Sequence, residues 1–222
     1  MSGPVIAIDG PAGSGKSTIA RMVAARLDVP HLDTGAMYRS VTWAVLDGGG
    51  DPTDADAAGA AAQAITIVIE DGRVTVDGRD VTSEIRGPEV TAAVSAVSSH
   101  PAVRSEMVRH QRDWIARAGG GVLDGRDIGT VVLPDADLKA YLTATPRTRA
   151  RRRFAETPDS EFDLDAVEAD IARRDELDSS REHSPLRPAD DAVMIWTDDL
   201  GIDEVVDRVL AELRAAGYRP SS

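Results

Sequence analysis

Nine consecutive residues, Gly10-Pro11-Ala12-Gly13-Ser14-Gly15-Lys16-Ser17-Thr18, carry the spacing G-x-x-x-x-G-K-[ST] in full. Glycines at these positions let backbone N–H groups curl round a polyphosphate, and a helix that follows turns its positive end toward the same anion. Lys16 has the reach for the β- and γ-phosphates, and the Ser17 hydroxyl is a hard oxygen ligand for Mg²⁺. The flanks agree with this chemistry. Val5-Ile6-Ala7-Ile8 reads as a buried strand, and Ile19, Met22, Val23 and Leu27 recur at helical spacing. The choice of lysine is itself informative, because Lys16 and Lys139 are the only lysines among 25 basic residues. A planar guanidinium does not replace a slender ammonium inside such a loop. The pattern predicts a nucleoside triphosphate site.

Three further clusters could complete it. Asp33-Thr34-Gly35-Ala36-Met37-Tyr38-Arg39 follows a short strand expected over 29–33, and Asp124-Gly125-Arg126-Asp127-Ile128-Gly129 follows another over 122–123. Ligands of an α/β sheet gather at the carboxyl ends of its strands, so both segments fall beside the phosphate loop. Asp33 and Asp124 each read equally as orienters of metal-bound water or as helix caps. Asp-Gly-Arg-Asp also occurs at 77–80, but there it sits in a hairpin turn, so only the copy at 124 is a site candidate. Residues 147–153 hold five arginines, with Arg149, Arg152 and Arg153 sharing one helical face. In an acidic chain such a run wants an anion. The polar stretch 156–165, interrupted by Pro158, reads as a flap that brings these arginines over phosphates.

The elements that must position these groups alternate between strand and helix, except in one stretch. After Gly48-Gly49-Gly50 and an alanine-rich helix over 57–64 come three β-branched runs, 65–69, 73–76 and 80–82. Asp71-Gly72 and Asp77-Gly78 separate them as hairpin turns. Helices are expected over 88–98, 102–118 and 166–178, strands over 138–142 and 192–196, and a closing helix striped by Ile202, Val205, Val206, Val209 and Leu213. The fold class is α/β: a P-loop three-layer fold with a central parallel sheet, an inserted small antiparallel β/α acceptor-binding subdomain and a short arginine-rich lid. The core spans 1–39 and 104–222, with the lid at about 147–162 and the insertion at 40–103.

Composition narrows the class. The formal charge of −13 argues against binding nucleic acid, and no apolar run approaches a membrane span. With no cysteine there is no disulfide framework. The N-terminus leads straight into the first strand, so no signal peptide is expected and a cytoplasmic location is. The four histidines lack metal-ligand spacing and read as surface or helix residues. A signalling GTPase needs an Asn-Lys-x-Asp motif, and the chain has no Asn. A small-molecule kinase needs an acceptor subdomain and a lid within one short chain, which is the layout here. A phosphate acceptor needs arginine clamps rather than a general base. Arginines stand at every candidate strand end, which favours a nucleoside monophosphate kinase. Another small-molecule kinase, or a nucleotide-dependent switch without acceptor turnover, are the alternatives.

The sequence resembles the bacterial cytidylate kinases. The resemblance rests on Ile8 to Ser17, Asp33 to Arg39, Ser95 to Arg104, Asp124 to Thr130, and Arg174-Asp175 through Asp178 to Arg181, and it spans essentially the whole chain, inserted meander included. It implies a monomer that moves a phosphoryl group from Mg-ATP to CMP or dCMP. It implies that Arg39, Arg126 and Arg181 hold the acceptor phosphate and that Ser95, Arg174 and Asp178 hold the sugar. It further implies that Thr34, Arg104 and Asp127 face the cytosine. Thr34 stands where some members have serine, which keeps the hydroxyl. Lys16 with Arg39, Arg126 and Arg181 forms the expected catalytic set. Gly10 to Thr18 with Arg149, Arg152 and Arg153 forms the ATP site.

Overall fold

The computed structural model describes residues 3–70, 72–156, 163–180 and 184–219. Along the chain run β1 (Val5–Asp9), α1 (Lys16–Leu27), β2 (His31–Asp33), α2 (Thr34–Asp47), α3 (Ala55–Ala64), β3 (Ile67–Glu70), β4 (Arg73–Val76) and β5 (Arg79–Asp80). They are followed by α4 (Pro88–Val97), α5 (Pro101–Ala118), β6 (Gly121–Gly125), β7 (Leu138–Thr143), α6 (Pro146–Glu156), α7 (Leu164–Ser179), β8 (Val193–Trp196) and α8 (Ile202–Ala215). Two compact units result: Met1–His31 with Ala118–Ser222, and Leu32–Arg117.

The first unit is built on a five-stranded sheet in the order β2-β6-β1-β7-β8. β1 lies parallel between β6 and β7, with Asp9 opposite Gly125 on one side and Tyr141 on the other. All of Ile6, Ala7 and Ile8 are buried, as a strand with neighbours on both edges and helices on its faces must be. Ile19 and Val23 of α1, and Val205, Val206 and Val209 of α8, pack with Ile6, Ile8, Leu142 and Ile195 in one core. Each such side chain contributes about 1.5–3 kcal/mol by leaving water. The carboxyl ends of these parallel strands therefore emerge together, which fixes the starting point of the phosphate loop after β1 and of the Arg126 segment after β6.

The second unit contains α2 to α5 and the antiparallel sheet β3-β4-β5. Asp77 and Gly78 take φ of 50° and 80°. Both values are positive, as the tight Asp-Gly hairpin turn requires. Val74 and Val76 face inward against Ala36, Val81 and Ile85. β5 is shorter than the run at 80–82 suggested. The Thr82 hydroxyl takes the Val74 N–H at 2.9 Å, ending the ladder, and Val81 turns into the core. β2 likewise starts at His31 rather than Val29. The Val29 N–H is spent on Ala24 O at 3.1 Å, behind a left-handed Asp28 with φ of 53° that closes α1.

Among the described residues no helix is long and apolar enough to cross a membrane.

Candidate active site

The phosphate loop starts where β1 ends. Gly10 has φ of 154°, and a Cβ there would lie 2.1 Å from Leu142 O, so no larger residue fits. Gly15, with φ of 85°, turns the chain into α1. Lys16 Nζ donates to Pro11 O at 3.2 Å, so the loop is curled around the ammonium. Two arginines of α6 hold the loop from behind. Arg149 is buried, donates through Nη1 to Ala12 O (3.1 Å) and through Nε to Ala144 O (3.0 Å), and pairs through Nη2 with Asp175 at 2.6 Å. Arg152 donates through Nη1 to Ser14 O (3.4 Å) and to Thr197 Oγ1 (2.9 Å). The arginines thus hold the carbonyl side of the loop, and an anion would meet its N–H side. The Ser14 hydroxyl is buried and has no hydrogen-bond partner among the described residues. A buried orphan donor in a phosphate cradle is what an anionic ligand would satisfy.

At the head of α1, Ser17 Oγ donates to Asp124 Oδ2 at 2.6 Å, and the other oxygen of Asp124 meets His31 Nε2 at 2.8 Å. Asp124 is thus no helix cap. Asp33 is one: its Oδ1 accepts the Ala36 N–H at 3.0 Å at the start of α2. A hydroxyl and a carboxylate at the end of β6 form an all-oxygen donor set of the kind Mg²⁺ takes. Its spacing predicts a surface or helix position for His31, but the structure sets it half-buried on β2 against Asp124. Metal-ligand spacing looks along the sequence, whereas this pair is made across adjacent strands.

Arg126 leaves β6 toward the loop. Its Nη1 donates to Gly10 O and its Nε to Asp178 Oδ2, both at 2.9 Å. Arg174, one turn before Asp178 on α7, has its pKa lowered by burial first and then by the positive charges of Arg153 and Arg126. Guanidiniums close enough to oppose each other's charge form a standing site for an anion. Asp127 is buried and its carbonyl accepts the N–H groups of Val131 (2.9 Å) and Val132 (3.2 Å), the second of which opens a one-turn π-helix over Ile128–Val132. No local sequence signal announced that turn. Its origin is Asp9, whose two carboxylate oxygens accept the N–H groups of Ile128 (2.8 Å) and Gly129 (2.7 Å). Burial pushes the Asp9 carboxyl up to about 6, against the pull of those two bonds.

In the second unit, Thr34 is buried at the first position of α2. Arg39 donates through Nη1 to Ile85 O (3.0 Å) and Thr91 Oγ1 (2.9 Å). Ser95 is half-buried on α4. Arg104 is buried on α5, donates to Ser98 O at 3.2 Å and lies with its guanidinium carbon 5.5 Å from the Tyr38 ring centre. Arg181, His183 and residues 157–162 of the flap expected over 156–165 lie outside the described residues; at its ends Glu156 closes α6, and Asp163 caps α7, which already includes Leu164 and Asp165.

A family model described as cytidylate kinase matches residues 6–215. The chain belongs to the cytidylate kinase family. A cytidylate kinase of Mycobacterium avium is 53% identical over 211 residues, covering 92% of each chain. A bifunctional pantoate ligase/cytidylate kinase of Synechococcus is 50% identical over 212 residues. That match covers 92% of this chain but 43% of that relative, so the chain spans less than half its length. A shikimate kinase structure from Bacteroides thetaiotaomicron is similar in fold, with TM-score 0.50 and 14% identity, covering 95% of this chain and 98% of that one. Membership of the cytidylate kinase family makes this chain a kinase of nucleotide substrates.

Proposed function

We propose that this protein transfers the γ-phosphoryl group of ATP to CMP or dCMP, giving ADP and (d)CDP. The observation that carries the reading is the juxtaposition, in one unit, of a phosphate loop closed on Lys16 with the mutually repelling guanidiniums of Arg126, Arg153 and Arg174. One anion-binding device would suffice for a nucleotide switch. Two such devices, with Arg126 hydrogen-bonded to the loop itself at Gly10 O, suit transfer between two phosphates.

In this reading the loop N–H groups and Lys16 bind the donor's phosphates and draw charge from the γ-group as it departs. Ser17 and Asp124 would hold the Mg²⁺ that accompanies ATP, which when bound neutralises charge on the bridging phosphate oxygens. Arg149 and Arg152 brace the loop, and Arg153 faces the phosphates. Arg39, Arg126 and Arg181 position the acceptor phosphate, Ser95, Arg174 and Asp178 its sugar, and Thr34, Arg104 and Asp127 its base. No general base is required, because the attacking phosphate oxygen is already ionised at neutral pH. Residues 40–103 act as the acceptor-binding insertion and about 147–162 as the lid. The resemblance supports a cytoplasmic monomer, and the net charge of −13 supports small nucleotides rather than nucleic acid as partners.

The test is ADP formation from Mg-ATP with CMP, dCMP, UMP, AMP or no acceptor. Rapid turnover confined to CMP and dCMP is expected. Equal turnover with and without acceptor would leave a switch.

A further inference from the structure

Asp9 is the last residue of β1, one residue before the phosphate loop, and the reading above gives it no contact with either substrate. Its carboxylate does one thing in the structure. It accepts the consecutive N–H groups of Ile128 (2.8 Å) and Gly129 (2.7 Å), the two residues that follow Arg126-Asp127. Two charge-assisted bonds to adjacent amides fix the direction of that peptide, and with it the loop that leads back to Arg126. A Cβ on Gly129 would press on the Lys139 stem at 3.2 Å, so the turn is packed closely against β7 as well. Arg126 in turn reaches Gly10 O, the residue next to Asp9. The ring Asp9, Ile128–Gly129, Arg126 and Gly10 ties the acceptor-side arginine to the donor-side loop.

We propose that Asp9 is a positioning residue for phosphoryl transfer, its ionised carboxylate setting Arg126 and Asp127 in register with the phosphate loop. This rests on the kinase reading above. A neutral acid offers one acceptor oxygen and one O–H, and the O–H meets an N–H it cannot bond. Protonation of Asp9 therefore loosens the ring. The charged and titratable groups around it are Asp127 and Lys16, with Asp124 on β6 and Tyr141 on β7. Asp127 opposes and Lys16 favours ionisation, while burial holds the Tyr141 hydroxyl above its ordinary value and so neutral throughout.

Two measurements test it. In ¹H–¹⁵N spectra of the wild-type protein, the Ile128 and Gly129 amides should move together with one inflection near 6, and that inflection should vanish in Asp9→Asn. Flat amides overturn the clamp whether or not the protein is a kinase. In kinetics, kcat/KM for CMP in the wild type should fall on the acid side with a slope of two, one proton from Asp9 and one from the acceptor phosphate, whose own pKa is about 6. Asp9→Asn should retain only the substrate's slope of one. At pH 7.5 it should lose about 10- to 100-fold in kcat/KM for CMP, the scale of misplaced reacting groups, with the KM for ATP changed far less. A wild-type slope of one, or equal damage to both substrates' KM, overturns the positioning role. Absence of any CMP turnover by the wild type would instead sink the kinase reading.

Discussion

Ser17 and Asp124 stand 107 positions apart in the chain and share a 2.6 Å hydrogen bond. One comes from the helix after β1, the other from the adjacent parallel strand β6, so the bond joins two separate stretches at the carboxyl end of the sheet. His31, on the next strand out, holds the other oxygen of Asp124.

This arrangement predicts a graded metal response. Asp124→Asn keeps the shape but weakens the carboxylate that orients Ser17. Groups that orient a metal's ligands typically contribute about 10- to 100-fold in metal affinity or activity. The Mg²⁺ concentration for half-maximal rate should rise by that order, and Mn²⁺ binding with ADP, followed by electron paramagnetic resonance, should weaken in parallel. His31→Leu should do the same to a smaller degree, and His31→Gln should recover part of the loss. Unchanged Mn²⁺ binding in Asp124→Asn would remove the residue from the metal site.

Arg174 yields a prediction with opposite signs for stability and function. Its charge is disfavoured by burial and by Arg153 and Arg126. Arg174→Met keeps the stem and removes the repulsion, so the ligand-free protein should melt no earlier than the wild type. The KM for CMP should nevertheless rise, because the proposed reading gives Arg174 to the acceptor's sugar. Sulfate, as a phosphate surrogate, should raise the melting temperature of the wild type more than that of the variant. A variant that melts far earlier would show Arg174 to be structural.

How far the sequence alone leads can be judged residue by residue. The phosphate loop was readable because its function is local: glycine, lysine and serine must be adjacent in sequence to be adjacent in space. The Asp77-Gly78 turn was readable for the same reason. What escaped is what the sheet assembles. That Asp124 meets Ser17 rather than a helix end was not legible, because nothing in either local sequence names the other. Asp33 carried the same ambiguity, and a single backbone bond to Ala36 resolved it as a cap. Arg149 and Arg152 were legible as part of an arginine run, expected to face an anion. Their grip on the loop's own carbonyls depends on where α6 packs, which periodicity does not give. Asp9 was legible as a residue of the family match, but its bonds to Ile128 and Gly129 needed the register of β1 against β6.

Base choice gives a third prediction. Cytosine presents an amino donor where uracil presents a carbonyl acceptor, and a carboxylate only accepts. In the proposed reading Asp127, buried at the end of the Asp124–Asp127 segment, favours CMP by attraction and disfavours UMP by repulsion. A good polar contact to a base edge is worth about 1–3 kcal/mol. Asp127→Ala should lower the CMP-to-UMP ratio of kcat/KM by about 5- to 150-fold, chiefly through weaker CMP. Equal loss on both substrates would mean that Asp127 only shapes the turn.

The last prediction concerns stability against pH and follows from Asp9. Its folded-state pKa stands at about 6 against 3.8 in the free side chain, with burial the largest cause. A raised pKa means that the folded protein holds this proton more tightly than the unfolded chain does. Below about pH 4 both states are protonated and the preference is fully present. As pH rises through 6 the folded state must give up the proton as well, and the advantage is lost. At 1.36 kcal/mol per pKa unit, the wild type surrenders about 3 kcal/mol from this group across that window. Asp9→Asn carries no titrating group, so its stability relative to the wild type should climb by that order between pH 4 and pH 7. Urea unfolding of both proteins at half-unit pH steps reads the difference directly, and the carboxylates that titrate elsewhere cancel in the subtraction. A difference that stays flat across the window would place the Asp9 pKa near its ordinary value. A falling difference would mean that the ionised carboxylate stabilises the fold. The expected rise instead says that the charge is kept at neutral pH at the expense of stability, in return for the placement of Arg126 and Asp127.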